Sequence, residues 1–417
     1  MNEDPKPHLV QPFAALRPAP ELAAEVAAPP YDVLNTEEAR AVAAGKPDSF
    51  LHISRPEIDL PPGTGVFAAE VYAKGAENMA RLVADGVLRR DSAAAYYIYR
   101  LQMDAHVQTG LVAGGSIAAY EANLIRKHEM TRPDKENDRV RQIIAVGAHT
   151  GPVCAVHKSD AALAAIIERC ANGAPDYSVE AEGGVRHSLW TIGQADDIAS
   201  VTSAFDRLGV IYIADGHHRS AAARRVAESR RAGKAPDPAD PFEQFLIVSF
   251  PADEVRILDY NRVLRDLAGM SPARFLDRLG SVFEVRAAAA AKPEQPASFG
   301  LYMDGGWHRL TLKSPPGDAL EPVEKLDVSI LSREILRPLL GISDPRTDPR
   351  IDFVGGVRGM AELEARVDGG DWAAAFALYP TRMADLMAVA DAGQVMPPKT
   401  TWFEPKLADG LISLPLD

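Results

Sequence analysis

Residues 211–223, IYIADGHHRSAAA, run an apolar segment into a polar, glycine-hinged turn and straight on into an alanine-rich stretch. Val210, Ile211, Tyr212 and Ile213 form a short β-branched and aromatic run, which predicts a buried strand that Asp215 and Gly216 end. Beyond the turn Ala222, Ala223, Val226 and Ala227 recur at helical spacing while Arg224, Arg225, Arg230 and Arg231 cover the opposite side, which predicts a helix. His217, His218 and Arg219 therefore stand at a helix N-terminus, where unpaired N–H groups and the positive end of the helix dipole favour an anion such as phosphate. Gly216 permits close backbone approach there. The same residues would equally make a plain polar turn with an acid at the cap. The turn is neither GxxxxGK[ST] nor GxGxxG, and adjacent histidines diverge instead of converging on one ion.

The 417 residues, 47% hydrophobic and 25% charged, have the composition of an ordinary globular protein of two or three domains. A net charge of -13 argues against sequence-independent binding to duplex nucleic acid, which needs a basic face, but leaves room for a local nucleotide pocket. The opening MNEDPKPHLVQPF lacks the basic-then-apolar layout of an export signal, and no apolar run approaches about 18 residues. A cytoplasmic protein with no membrane partner is expected. Cys154 and Cys170 lack CxxC spacing, so buried free thiols are expected.

The chain reads as α/β or α+β. A helix begins after Asn35 or Thr36, with Glu37 and Glu38 in its first turn. Alternation predicts a short strand at 50–54, a helix follows at 68–85, and 95–103 and 109–120 make an antiparallel pair. VRHSLWTI predicts a strand with Arg186, His187 and Trp190 partly exposed. Residues 299–312 are a hairpin about an Asp-Gly-Gly turn, and 328–339 a helix. These elements suggest an α+β body over 1–285 holding the site, a flexible surface connection at 286–298, and a C-terminal α+β region, 299–417, docked on the body.

Further polar clusters accompany the turn. Asp32 follows Pro29, Pro30 and Tyr31 and is either a base or magnesium partner or a simple turn acid. In the tract HEMTRPDKENDRVRQ, Lys135, Asp138 and Arg139 share one helical face, as an anion site or as a solvated ion-paired surface. Lys399 and Lys406, framed by Pro397, Pro398, Trp402 and Phe403, close over an anionic ligand or snorkel from a packed tail.

Several stretches together resemble a prokaryotic family known as domain of unknown function 1015: PPYDVL, SFLHISRPE, KHEMTRPDKENDR, VRHSLW, IADGHHRSAA, LDVSILSREIL and MPPKTTWFEPKL. They span nearly the whole chain. One departure is Tyr260, Asn261 and Arg262, where members carry a Thr-His-Arg-like tripeptide; asparagine cannot replace a histidine as proton carrier. More distantly, the DGHHR turn is similar to the phosphate-cradling box of the ParB-like and sulfiredoxin-like superfamily, which includes free-serine kinases. A histidine where sulfiredoxins carry their cysteine disfavours that branch, and the acidic charge disfavours the DNA-binding one.

The resemblance implies a mixed-sheet nucleotide-binding core with additional α+β regions, and a nucleotide-dependent phosphotransferase for a small hydroxyl metabolite, free serine above all. The alternative is a non-catalytic nucleotide-binding regulator. In the enzyme, Asp32, Asp215 and His217 would be catalytic, with Asp32 the base. Gly216, His218, Arg219, Ser220, Arg132, Lys135 and Arg139 would hold ATP or ADP. His128, Glu129 and Thr131 would meet the substrate, and Glu129 and Asp215 magnesium. The oligomeric state stays open.

Overall fold

The computed structural model describes residues 6–181, 183–317 and 319–417, so the start of the N-terminal stretch lies outside the described residues. Two compact units emerge: Met1–Val255 together with Pro405–Asp417, and Arg256–Glu404. The division expected at 286–298 thus lies elsewhere. Tyr260–Leu264 and Phe283–Ala288 are strands of the second unit's own sheet, and Leu414–Pro415 pairs back with Ala148–His149 in the first. Within 286–298, the first residues finish a strand and Ala291 is buried, so that stretch is not a loose surface connection.

In the first unit a mixed sheet runs in the order Ile125–Arg126, Ile211–Asp215, Val153–His157, Gln244–Pro251, His106–Ser116, Tyr96–Met103, Arg186–Ile192 and Tyr177–Glu180, with Val10–Gln11 also along His106–Ser116. This is the mixed α/β architecture expected from the sequence. Its apolar face and the helices packed on it form one core, from Leu9 and Tyr96 through Phe205 to Ile247. Ile211–Asp215 pairs antiparallel with Val153–His157 and parallel with Ile125–Arg126. Parallel neighbours leave the sheet at the same edge. That single pairing delivers the residues after Arg126 to where the chain turns at Gly216. A register shift between Ile213 and Asp215 marks a bulge, a device that re-aims a side chain at a sheet's rim.

Asn35 caps the helix Thr36–Ala43 in a capping box with Glu38, and Ala69–Ala84 is helical as expected. Three expectations need correction. Residues 50–54 are not a strand: Leu51–Ser54 is a helical turn, with the Ile53 and Ser54 N–H groups donating to the Phe50 carbonyl. Leu51 and Ile53 are both buried, so apolar alternation over five residues was blind to the local bonds that win. The strand expected to reach Tyr120 stops at Ser116, whose hydroxyl caps the helix Ile117–Glu121. In Arg186–Ile192, His187 and Trp190 are buried on opposite faces, His187 against the Tyr99 hydroxyl and Trp190 in the main core; of the three, only Arg186 is exposed. Cys154 and Cys170 are free, Cys154 buried and Cys170 half-buried. No helix among the described residues is long and apolar enough to cross a membrane.

The second unit carries an antiparallel sheet, ordered Phe283–Ala288, Gly306–Leu312, Ser298–Met303, Ala374–Leu378, Tyr260–Leu264 and Ile351–Gly355. Its hairpin turns at Asp304 and Gly305, both at positive φ. The helix expected at 328–339 comprises Asp327–Leu331, a π-helical Ser332–Leu336 and Arg337–Leu340.

Candidate functional site

Gly216 caps the helix His217–Arg231 with φ +99°, and its carbonyl accepts from the N–H groups of Arg219 and Ser220. Its left-handed conformation calls for glycine, and a Cβ there would stand 2.9 Å from the Arg219 Nε and push the guanidinium aside. The N–H groups of His217 and His218 lie at the open end of the helix.

The two histidines fasten that end to the charge-dense tract. His217 Nε2 accepts from the His128 backbone N–H at 3.4 Å, and His218 Nε2 accepts from the Arg132 N–H at 3.0 Å. Accepting requires both rings to be neutral, and burial, the largest cause, lowers both pKa values. The proton of neutral His217 then sits on Nδ1, 3.6 Å from a Glu129 carboxylate oxygen. His128 packs edge-on against His217, ring centroids 4.4 Å apart, and burial lowers its pKa to about 4. Replacing His218 by alanine should release the Arg132 N–H at a cost of ~1 kcal/mol. Amide exchange at 128–132 should accelerate while strand 211–215 stays protected; unchanged exchange there would contradict the fastening role.

His128, Glu129 and His217 offer ligand atoms within 4.8 Å of one another. Two imidazoles and one carboxylate suit a transition ion better than magnesium, which prefers oxygen. His217 could ligate through Nδ1 only by giving up its bond from the His128 N–H, because both ring nitrogens cannot lack protons while the ring stays neutral. Asp215, expected to hold magnesium beside Glu129, lies outside this trio and is engaged by cations. The residues present do not fit the expected magnesium pair.

Asp215 Oδ2 lies 3.4 Å from Arg219 and 3.8 Å from Lys406. Burial pushes its carboxyl up, but Lys406, Arg219 and His217 outweigh this and bring it to about 2. The Arg219 guanidinium also donates to the Pro152 carbonyl. Burial works against its charge, while Asp215, Asp32, Tyr31 and Asp409 more than restore it. Arg139, in the helix Pro133–Val146, holds Asp138 at 2.6 Å and lies 3.9 Å over the Tyr31 ring. Asp32 itself is exposed.

Asp409 completes the cluster and was not anticipated. It is 2% exposed, its Oδ1 has no hydrogen-bond partner, and burial, reinforced by Asp32, raises its carboxyl to about 7 against Arg219, Arg139 and the Tyr31 N–H. Its one sequence signal, Ala-Asp-Gly, recurs at 84–86, 214–216 and 408–410, and the first is an ordinary helix end. Repetition alone could not find it.

Other expected residues lie apart from this cluster. Ser220 is fully buried and its hydroxyl donates to the His217 carbonyl, which removes it from a phosphate-binding set. Thr131 donates to Glu136. Arg132 is exposed and paired with Asp134, and Lys135 lies over Phe67; both neighbour His218. Asn261, in the second unit, is fully buried, donating to Asp259 and accepting from the Leu378 N–H, a structural tie within the sheet.

The first unit is thus a mixed-sheet α/β fold with a buried charge cluster at a strand–turn–helix junction. The chain belongs to the family described as "Protein of unknown function (DUF1015)", which matches residues 10–329. No curated protein matches. Among solved structures, "SbnI with C-terminal truncation from Staphylococcus aureus" is similar at 11% identity over 73% of this chain and 87% of that one, TM-score 0.38. "Free serine kinase in complex with AMP" matches at 12% identity over 71% and 89%, TM-score 0.35. "Conserved hypothetical protein from Pyrococcus furiosus" matches at 14% over 69% and 90%, TM-score 0.32.

Proposed function

We propose that the first unit binds a nucleotide, ATP or ADP, and transfers a phosphoryl group to a small hydroxyl-bearing metabolite, with free serine the first candidate. The observation that carries this reading is the gathering of Arg219, Arg139 and Lys406 with Asp32 and Asp409 beside the helix that opens at Gly216. Phosphoryl transfer asks for positioned cations and a proton acceptor and little else.

Asp409 deepens the assignment of a base. A carboxyl held near 7 is matched to accepting a hydroxyl proton at neutral pH, whereas Asp215 stays ionised and keeps Arg219 and Lys406 in place. Asp32 is the exposed member of the pair and the first to meet a hydroxyl group; Asp409 takes up the proton behind it. A regulator that binds nucleotide without turnover would use the same cations and need neither acid.

Thermal shift with ATP, ADP, CTP and GTP, each with magnesium, tests binding. At least one nucleotide should stabilise the protein, and Arg139→Ala should weaken that shift roughly tenfold in affinity. No shift with any nucleotide sinks the proposal. Given binding, phosphoserine formation from serine, abolished in Asp32→Asn and Asp409→Asn with binding retained, separates kinase from regulator; no product from a broad hydroxyl panel leaves the regulator.

A further inference from the structure

Three stretches singled out in the sequence have no place in the cluster around Arg219: 260–262, 326–336 and 396–398. All three line one cavity of about 570 Å³ within the second unit. Arg262 reaches it from Tyr260–Leu264, Ser329, Ser332, Arg333 and Arg337 from the helical run, and Arg346 from the following loop.

The charges in this cavity are not balanced. Arg346 is taken by Asp344 at 2.8 Å and Arg333 by Glu334 at 2.7 Å. Arg262 is 4% exposed, yet among the described residues no carboxylate comes within ion-pairing distance. Its guanidinium donates only to the carbonyls of Tyr260 and Lys399 and lies 5.0 Å over Phe353. Burial lowers its pKa to about 10, opposed by the Tyr260 phenol and by no carboxylate. Burying an arginine without a counter-charge is costly, so an anion drawn into the cavity recovers energy the fold gives up. Arg337, on the rim, likewise has no carboxylate partner among the described residues, and Glu324 is the remaining acid of the wall.

Backbone geometry supports the same conclusion. Positions 328 and 329, 332 and 333, and 336 and 337 all line the cavity, a repeat of four residues. A regular helix turns in about 3.6 residues and would rotate the last pair away; the wider turn of the π-helical Ser332–Leu336 keeps them aligned.

We infer that this cavity binds a small oxyanion-bearing metabolite, its carboxylate or phosphate gripped by Arg262 and Arg337 with the hydroxyls of Ser329 and Ser332 as further donors. Calorimetric titration of the full chain with inorganic phosphate, and separately with succinate, tests the site and tells the two oxyanions apart. Binding of one of them should survive Arg219→Ala, fall roughly tenfold in Arg337→Ala and vanish in Arg262→Gln. Should Arg262→Gln fail to fold, the exposed Arg337→Ala decides. No binding of either anion, binding indifferent to both second-unit substitutions, or binding lost only in Arg219→Ala would each overturn the inference. The last outcome would place the anion at the nucleotide cluster instead, leaving that proposal standing.

Discussion

Arg219→Met is expected to destabilise the first unit by roughly 3 kcal/mol at pH 7.5, because it leaves Asp215, Asp32 and Asp409 facing one another around a removed cation. The loss should shrink at pH 5, where Asp409, with its carboxyl near 7, is protonated and brings no charge. Arg132→Met, at an exposed ion pair, should change stability by less than about 0.5 kcal/mol. Urea unfolding at both pH values checks all three. If Arg219→Met and Arg132→Met cost the same, the cluster is not held by its central arginine.

Acid should unfold the first unit through its histidines. His128, His149, His157 and His187 have their pKa values lowered by burial to about 4, and burial lowers His217 well below its ordinary value. For the first four, the unfolded chain takes up a proton near 6.5 while the folded chain refuses it until about 4, and His217 acts in the same direction. Stability is therefore full above 6.5 and declines as pH falls through that window, at up to about 1.4 kcal/mol per pH unit for each group. Asp409 runs the other way: its folded pKa is raised, so its contribution is present below about 3.8 and is lost as pH rises to 7. The lowered histidines, His218 among them, outnumber the groups that run the other way, Asp409, Glu254 and His52, and give a net fall on acidification. Asp409→Asn should accordingly raise the melting temperature at pH 8 and leave it nearly unchanged at pH 4. A wild-type melting temperature flat from pH 6.5 to 4.5 would show that these rings are not held neutral.

The strand–turn–helix at 211–231 was legible because each device is local: a β-branched run, a glycine at positive φ and an alanine-rich face. What the histidines do was not. Their acceptor role depends on a two-residue strand, Ile125–Arg126, too short to leave a period in the sequence. Asp409 escaped for a related reason, since only tertiary burial distinguishes it from the acid at Asp85 that ends a helix. The opposite error fell on Ser220, whose position beside the turn suggested a ligand contact but whose helical phase points it inward. Arg262 was noticed merely as the surviving member of an altered tripeptide. That it lacks a counter-ion follows from which side chains the second sheet does not place beside it.

The route of the chain has a temporal meaning. Residues 256–404 are inserted between the last strand of the first unit's sheet, Gln244–Pro251, and the segment bearing Lys406 and Asp409. During synthesis the sheet, the Gly216 turn and the Pro133–Val146 helix are all made long before that segment leaves the ribosome. The nascent first unit thus carries Arg219 and Arg139 without Lys406 and Asp409, and the bridging of Asp409 to Ala28 and of Leu414–Pro415 to Ala148–His149 follows the synthesis of the second unit. The cluster gains its full set of charged side chains only after the inserted second unit and the residues from 405 onward have been made.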